Sequence, residues 1–170
     1  MISLQIKNTK SFMNTLLVSE QFDSFEVEEA TITTFNTFYI DGHIVKDFYT
    51  HEEIDEITTT ENSFPLFSSW KDIKPICFNL IKGKKTPVSF KVILQASPSL
   101  IQKLAASEEC EVEPNLIRSL VINIRYENGK VTCITATSFN TFIMDKSADK
   151  LWDNYVKLLF NKMQLDFEEN

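Results

Sequence analysis

The chain has 170 residues, 43% hydrophobic and 24% charged, with a net charge of −7. That is enough apolar material for one compact domain, or for two small half-domains sharing a core. With three Gly and five Pro there is little material for flexible linkers, and no run reaches the roughly 18–20 apolar residues of a membrane helix.

Residues 2–7 alternate Ile2, Leu4 and Ile6, a strand pattern. Phe12, Leu16 and Leu17 then line one side of a short helix over 9–19, with Thr9 as its expected N-cap. From Phe25 to Ile44 the chain is rich in Val, Ile, Thr, Phe and Tyr, which favour strands. Turns are expected at Glu28-Glu29 and Asp41-Gly42. Residues 47–67 read as an acidic, Thr-rich surface connection with one helical turn at 51–57. A helix follows over 72–82, with Asp72 near its start, Pro75 in its first turn and Gly83 as its stop.

Phe90, Val92 and Leu94 open the second half as a strand. Ser97 and Pro98 cap and start a helix carrying Leu100, Ile101 and Leu104. Leu120–Tyr126 and Lys130–Thr137 flank Asn128-Gly129, a strong signal for a tight hairpin. A further strand is expected over 138–144. Residues 147–163 form the longest helix, expected to bury Leu151, Trp152, Tyr155, Leu158, Leu159 and Met163.

Two words recur in the same order. Phe35-Asn36-Thr37-Phe38 returns as Phe139-Asn140-Thr141-Phe142, and Trp70…Phe78-Asn79 returns as Trp152…Phe160-Asn161. The pattern implies a duplicated unit of about 85 residues. It yields an α+β fold, a single compact domain over 1–170 built of pseudo-equivalent βαβββα halves, 1–86 and 87–170. The sheet should be largely antiparallel, with the helices on one face.

Charge is placed unevenly. Residues 20–61 hold twelve Asp or Glu against Lys46 alone. Residues 71–85 carry Lys71, Lys74, Lys82, Lys84 and Lys85 against Asp72, and 146–162 add Lys146, Lys150, Lys157 and Lys162 against Asp149 and Asp153. An acidic total is compatible with a basic face. Lys71, Lys74, Lys82, Lys84, Lys85, Lys150, Lys157 and Lys162 are therefore the candidate nucleic-acid contacts. In the last helix Lys150, Asn154, Lys157 and Asn161 form a polar stripe.

Over most of its length, through Thr31–Phe38, Asp41-Gly42-His43, Trp70-Lys71-Asp72-Ile73 and Leu80–Lys84, the chain resembles an uncharacterised family of Firmicutes proteins, a domain of unknown function. The repeated strand, helix, hairpin, strand order is also similar to the half-domain repeat of DNA sliding clamps, and Val121–Thr137 resembles the bacterial clamp's hairpin. That resemblance implies a clamp-like arrangement, lysine-bearing helices facing DNA, and a homo-oligomer, since a closed ring would need several copies of so short a chain.

Other sites are less distinct. Asn36 and Asn140, with His43, are the candidate ligand contacts if the halves enclose a pocket; the commoner role for the Asn-bearing word is a core strand. Asp41, His43, His51 and Glu52 lack metal-motif spacing, so no metal is expected. Cys77, Cys110 and Cys133 contain no CxxC pair, which argues against a disulfide framework or zinc site. Cys77 and Cys133 read as buried thiols, and the carboxylates beside Cys110 disfavour its thiolate. Lys82–Pro87 lacks the context of a Walker loop. With no catalytic set visible and no cofactor expected, the reading is a non-enzymatic module whose partner is DNA or a protein; the alternative is a ligand-binding protein or enzyme with its pocket between the halves. The N-terminus lacks the apolar core of a secretory leader, so the expected location is cytoplasmic, away from membranes.

Overall fold

The computed structural model describes residues 1–170. In chain order it contains β1 (Ser3–Ile6), α1 (Thr9–Leu17), β2 (Glu26–Thr33), β3 (Thr37–Asp41), α2 (His51–Glu61), α3 (Trp70–Ile81), β4 (Ser89–Gln95), α4 (Pro98–Ala105), β5 (Ile117–Glu127), β6 (Lys130–Phe139), α5 (Ser147–Lys162) and β7 (Phe167–Glu169). The seven strands form one sheet, ordered β3-β2-β4-β5-β6-β1-β7, and every pair is antiparallel. The fold is α+β, as the sequence pattern implies.

Strand alternation sends Leu4, Ile32, Val92, Leu94, Ile122, Ile124 and Cys133 to one face, where all are buried. Helices α1, α3 and α5 cover that face. Phe12 of α1 meets Phe160 of α5 edge-on at 6.2 Å, and the indole N–H of Trp70 in α3 donates to the Leu16 carbonyl at 2.8 Å. Thr135 and Thr137 of β6 donate to Asp153 and Asp149 of α5. The 31 buried apolar residues form one cluster drawn from both halves, so neither half keeps a core of its own. The opposite face carries Thr31, Lys91, Asn123, Arg125 and Thr132, and toward the Gln95 end His43, Leu66 and Phe67 border a groove with Ile93, Val121 and Ala136.

Residues 1–86 and 87–170 both begin strand, helix, strand, strand and then differ, two helices closing the first stretch and a helix and a strand the second. The expected βαβββα order is therefore not reproduced, and the corresponding strands have different partners. Strand β4 lies between β2 and β5. Strand β1, its counterpart by sequence, pairs with β6 and β7. Trp70 is the first residue of α3, capped by Ser69, whereas Trp152 sits in the second turn of α5 and does not open it. Both indoles are fully buried, and Trp152 donates to the Val121 carbonyl at 2.9 Å. Trp152 thus fastens α5 to the sheet, and Trp70 fastens α3 to α1. Phe160 is buried while its counterpart Phe78 is partly exposed.

Several local expectations are corrected. Glu28 does not sit in a turn; β2 runs through it with a bulge between Val27 and Glu29, and bulges absorb an extra residue without ending a strand. The hairpin turn lies instead at 34–36, inside the Phe-Asn-Thr-Phe word, so this segment is not a core strand. Its second copy ends β6 at Phe139, and residues 140–146 form no strand. The N-cap of α1 is Asn8, whose side chain accepts from the Ser11 amide at 3.0 Å, because Thr9 already turns its hydroxyl to the Gly129 carbonyl. Pro75 lies in the second turn of α3 rather than the first, and removes one hydrogen bond there. Leu158 is 68% exposed; the buried row of α5 is Ala148, Trp152, Val156 and Phe160, one turn apart throughout. Helix α2 extends four residues beyond the single turn expected, started by a capping box between Thr50 and Glu53.

Beyond Asp41 the chain departs from β2 and admits Leu66–Ser69 between them. The Ser68 amide donates to the Gly42 carbonyl and the Val27 amide to the Ser68 carbonyl, both at 2.9 Å. This works only because residue 42 is glycine: a Cβ there would lie 1.7 Å from the Val27 carbonyl oxygen. Gly42→Ala should destabilise the protein by about 3 kcal/mol, since backbone must move to relieve the overlap. Gly129→Ala meets no atom but has φ +78°, and should cost about 1–2 kcal/mol. Urea melts of both variants check the order; a smaller loss for Gly42→Ala would contradict the packing.

Candidate nucleic-acid interface

Strand register fixes which residues share an end of the sheet. Thr33 pairs with Ser89, Ser89 with Glu127 and Glu127 with Lys130, so these four lie at one end. Asn128 and Gly129 close the hairpin there with φ of 52° and 78°. The Thr9 hydroxyl donates to the Gly129 carbonyl at 3.0 Å, which brings Lys7 and Lys10 to the same end. Helix α3 begins beside Phe25, where the Trp70 amide donates to its carbonyl, and runs toward Ser89. Lys82, Lys84 and Lys85 therefore follow it to that end, where the Val88 amide donates to the Thr33 carbonyl. Helix α5 begins near Thr137 and ends near β1 and β7, with Phe160 against Phe167 at 6.0 Å. Lys162 emerges there too.

The eight lysines singled out from sequence thus separate into groups. Lys82, Lys84, Lys85 and Lys162 lie at the same end of the sheet, exposed and without an ion pair; Lys82 lies 5.9 Å from the Phe78 ring centroid. Lys71 and Lys150 occupy the first turns of their helices, at the far end. Lys74 is not a surface contact: it donates to the Ser19 carbonyl at 2.8 Å and to Asp23 at 2.5 Å, with 11% of its side chain exposed. Lys157 is half-buried and pairs with Glu169 at 3.4 Å. Lys7, Lys10 and Lys130 were not distinguishable from sequence. Lys130 follows a legible turn, but only the long-range pairing of β1 with β6 sets Lys7 and Lys10 beside it.

At the basic end Glu127 and Asp166 oppose these lysines, with Glu168 one register step further along β7. The carboxylates concentrate at the other end, on α2 (Glu52, Glu53, Asp55, Glu56, Glu61), at the start of β2 (Glu26, Glu28) and in the connections around Glu111, Glu113 and Asp145. Asp149 and Asp153 are engaged by threonine hydroxyls, and Asp153 also accepts from the Met1 amine at 2.8 Å. Burial raises the Glu26 pKa, partly countered by its bond from Gln95. The molecule is polarised along its strands.

Asn36 and Asn140 are not brought together. Asn36 is on the turn after β2, at the basic end; Asn140 follows β6 at the acidic end and donates to the Asn115 carbonyl at 2.8 Å. His43 is also at the acidic end. Its backbone N–H and then its ring bond to Asp41, and lower the Asp41 pKa in that order. His51 and Glu52 open α2. No group of three or more His, Cys, Asp or Glu could hold a metal ion. A groove of 510 Å³ runs between His43, Leu66 and Phe67 and the ends of β4–β6. Arg118 lines it and makes no ion pair. Burial pushes the Cys77 thiol up to about 12 and raises that of Cys133 as well. Neither thiol can serve as a nucleophile near neutral pH.

The chain belongs to a family of unknown function, DUF5721, whose model matches residues 15–168. No curated protein and no solved structure matches it. No helix is long and apolar enough to cross a membrane.

Two expectations follow from this geometry. Lys74→Ala should cost about 3 kcal/mol of stability, because Asp23 is left poorly solvated without its partner; a melt unchanged from the parent would contradict the buried pair. His43→Ala should raise the Asp41 pKa only part of the way to the ordinary range, since the backbone bond, the larger cause, survives. The lowered folded pKa means that this contact stabilises above the ordinary carboxylate range and loses its effect as pH falls through the folded value. A carboxyl titration by NMR checks both the size and the direction.

Proposed function

We propose that this protein is a non-enzymatic, cytoplasmic binding module of clamp-like build that associates with nucleic acid. The observation that carries the reading is the charge separation. Lys7, Lys10, Lys82, Lys84, Lys85, Lys130 and Lys162 are exposed and free of ion pairs at one end, whereas at the other end Lys71, Lys150 and Arg118 are outnumbered by carboxylates. Such a distribution attracts a polyanion and orients it at the same time. The strand, helix, strand, strand order that occurs twice and the packing of α1, α3 and α5 on one face of the sheet support the clamp-like part of the reading. A closed ring needs several copies, which the unpaired outer edge of β3 leaves room to join. Native mass distinguishes the two parts: a strict monomer overturns the ring and leaves nucleic-acid association standing.

A second reading, a ligand-binding protein, is favoured by one feature, the unpaired Arg118 in the groove beside His43. A guanidinium there would hold a carboxylate or phosphate in bidentate fashion.

The leading reading predicts binding to labelled DNA at about 50 mM salt. Affinity should fall about a hundredfold by about 200 mM if some four phosphates are neutralised. Fluorescence anisotropy across that range is the check. Absence of binding at the low-salt end overturns it, because the electrostatic contribution is greatest there.

A further inference from the structure

The basic end also carries aromatic surface that the core does not use. Phe35, at the tip of the β2–β3 turn, is 85% exposed, and its ring meets Phe38 edge-on at 5.7 Å. Val88 is exposed beside it, joined through the Val88 amide to the Thr33 carbonyl. At a strand spacing of about 4.8 Å, the end from β4 across to β7 is about 20 Å wide. Lys82, Lys84 and Lys85 stand at its β4 side, Lys130 in the middle, and Lys7 and Lys162 toward β7.

We propose that this end of the sheet binds single-stranded nucleic acid: the lysine band tracks the phosphates, and Phe35 provides a face on which a base stacks. The inference rests on the nucleic-acid reading above and deepens it by naming the strand type and the surface. Single strands are favoured over duplex because an exposed ring can stack only on an unpaired base, and aromatic faces set in a basic track suit sequence-tolerant single-strand binding. Duplex follows charge alone and would gain nothing from Phe35. The acidic far end, with α2, repels the same polymer, so the strand runs across the end and not along the helices. Lys71 and Lys150, at that far end, take no part.

The test is anisotropy of a labelled single-stranded oligothymidine and of a duplex of equal length at about 50 mM salt, with vesicles containing phosphatidylserine as a third probe. Circular dichroism verifies that each variant is folded. Expected are tighter binding to the single strand, about tenfold weakening by Phe35→Ala for the single strand only, and at least about tenfold weakening by Lys84→Glu with Lys85→Glu. Lys150→Glu should change affinity by less than about twofold, since it lies beyond a screening length of the site. Weakening by Lys150→Glu but not by the Lys84/Lys85 pair overturns the placement while nucleic-acid association stands. Equal affinity for both DNA forms, indifferent to Phe35→Ala, overturns the single-strand assignment alone. Binding to vesicles without binding to either DNA overturns this inference and the broader reading together.

Discussion

The pairing of β1 with β6 is the constraint on which the rest of the molecule depends. It joins residues 133 positions apart, with the Ile2 amide on the Thr135 hydroxyl at 2.9 Å and Leu4 opposite Cys133. Closing so long a loop is costly in chain entropy, and the pairing is repaid in apolar burial. It places α1 over the sheet, so that Phe12 reaches Phe22 and Phe160 and Leu16 receives the Trp70 indole. Without it α1 would have no partner, and α3 and α5 would cover a face open between them.

The same pairing assembles the charged end. It sets the start of α1 against the Asn128-Gly129 turn, next to Lys130. The packed core and the gathering of lysines at one end thus both depend on one long-range contact. The second long-range joint, Leu66–Ser69 entering between Val27 and Gly42, does the converse at the other end. It ties the acidic α2 arm to the sheet and keeps its carboxylates away from the lysines. A polarised molecule follows from where two connections are anchored.

Much of the fold was legible where local chemistry decides it. Asn-Gly between two alternating runs specifies a hairpin on its own, and Ser97 before Pro98 specifies a helix start. The first hairpin was not legible, since its turn at 34–36 contains no Gly or Pro and its bulge at Glu28 mimics a turn. The repeated words misled in part: equal words do not take equal places, since Phe160 is buried and Phe78 is not, and the Asn-bearing copies lie at opposite ends. Periodicity also placed Leu158 inside, because a buried row spaced strictly one turn apart is narrower than the usual apolar stripe. For the lysines, composition showed that the segments were basic. It could not show that Lys74 is consumed by Asp23, or that Lys7 and Lys10 join the group.

The proposal that one end of the sheet, and not the helical face, receives nucleic acid can be tested by following backbone amide shifts of the isotopically labelled protein as a short single-stranded oligonucleotide is added. Perturbations are expected to be confined to residues 7–10, 34–38, 82–88 and 128–131 and the end of α5. Perturbations centred on the outer stripe of α5 around Lys150 and Asn154, or on the groove around Arg118, would contradict it.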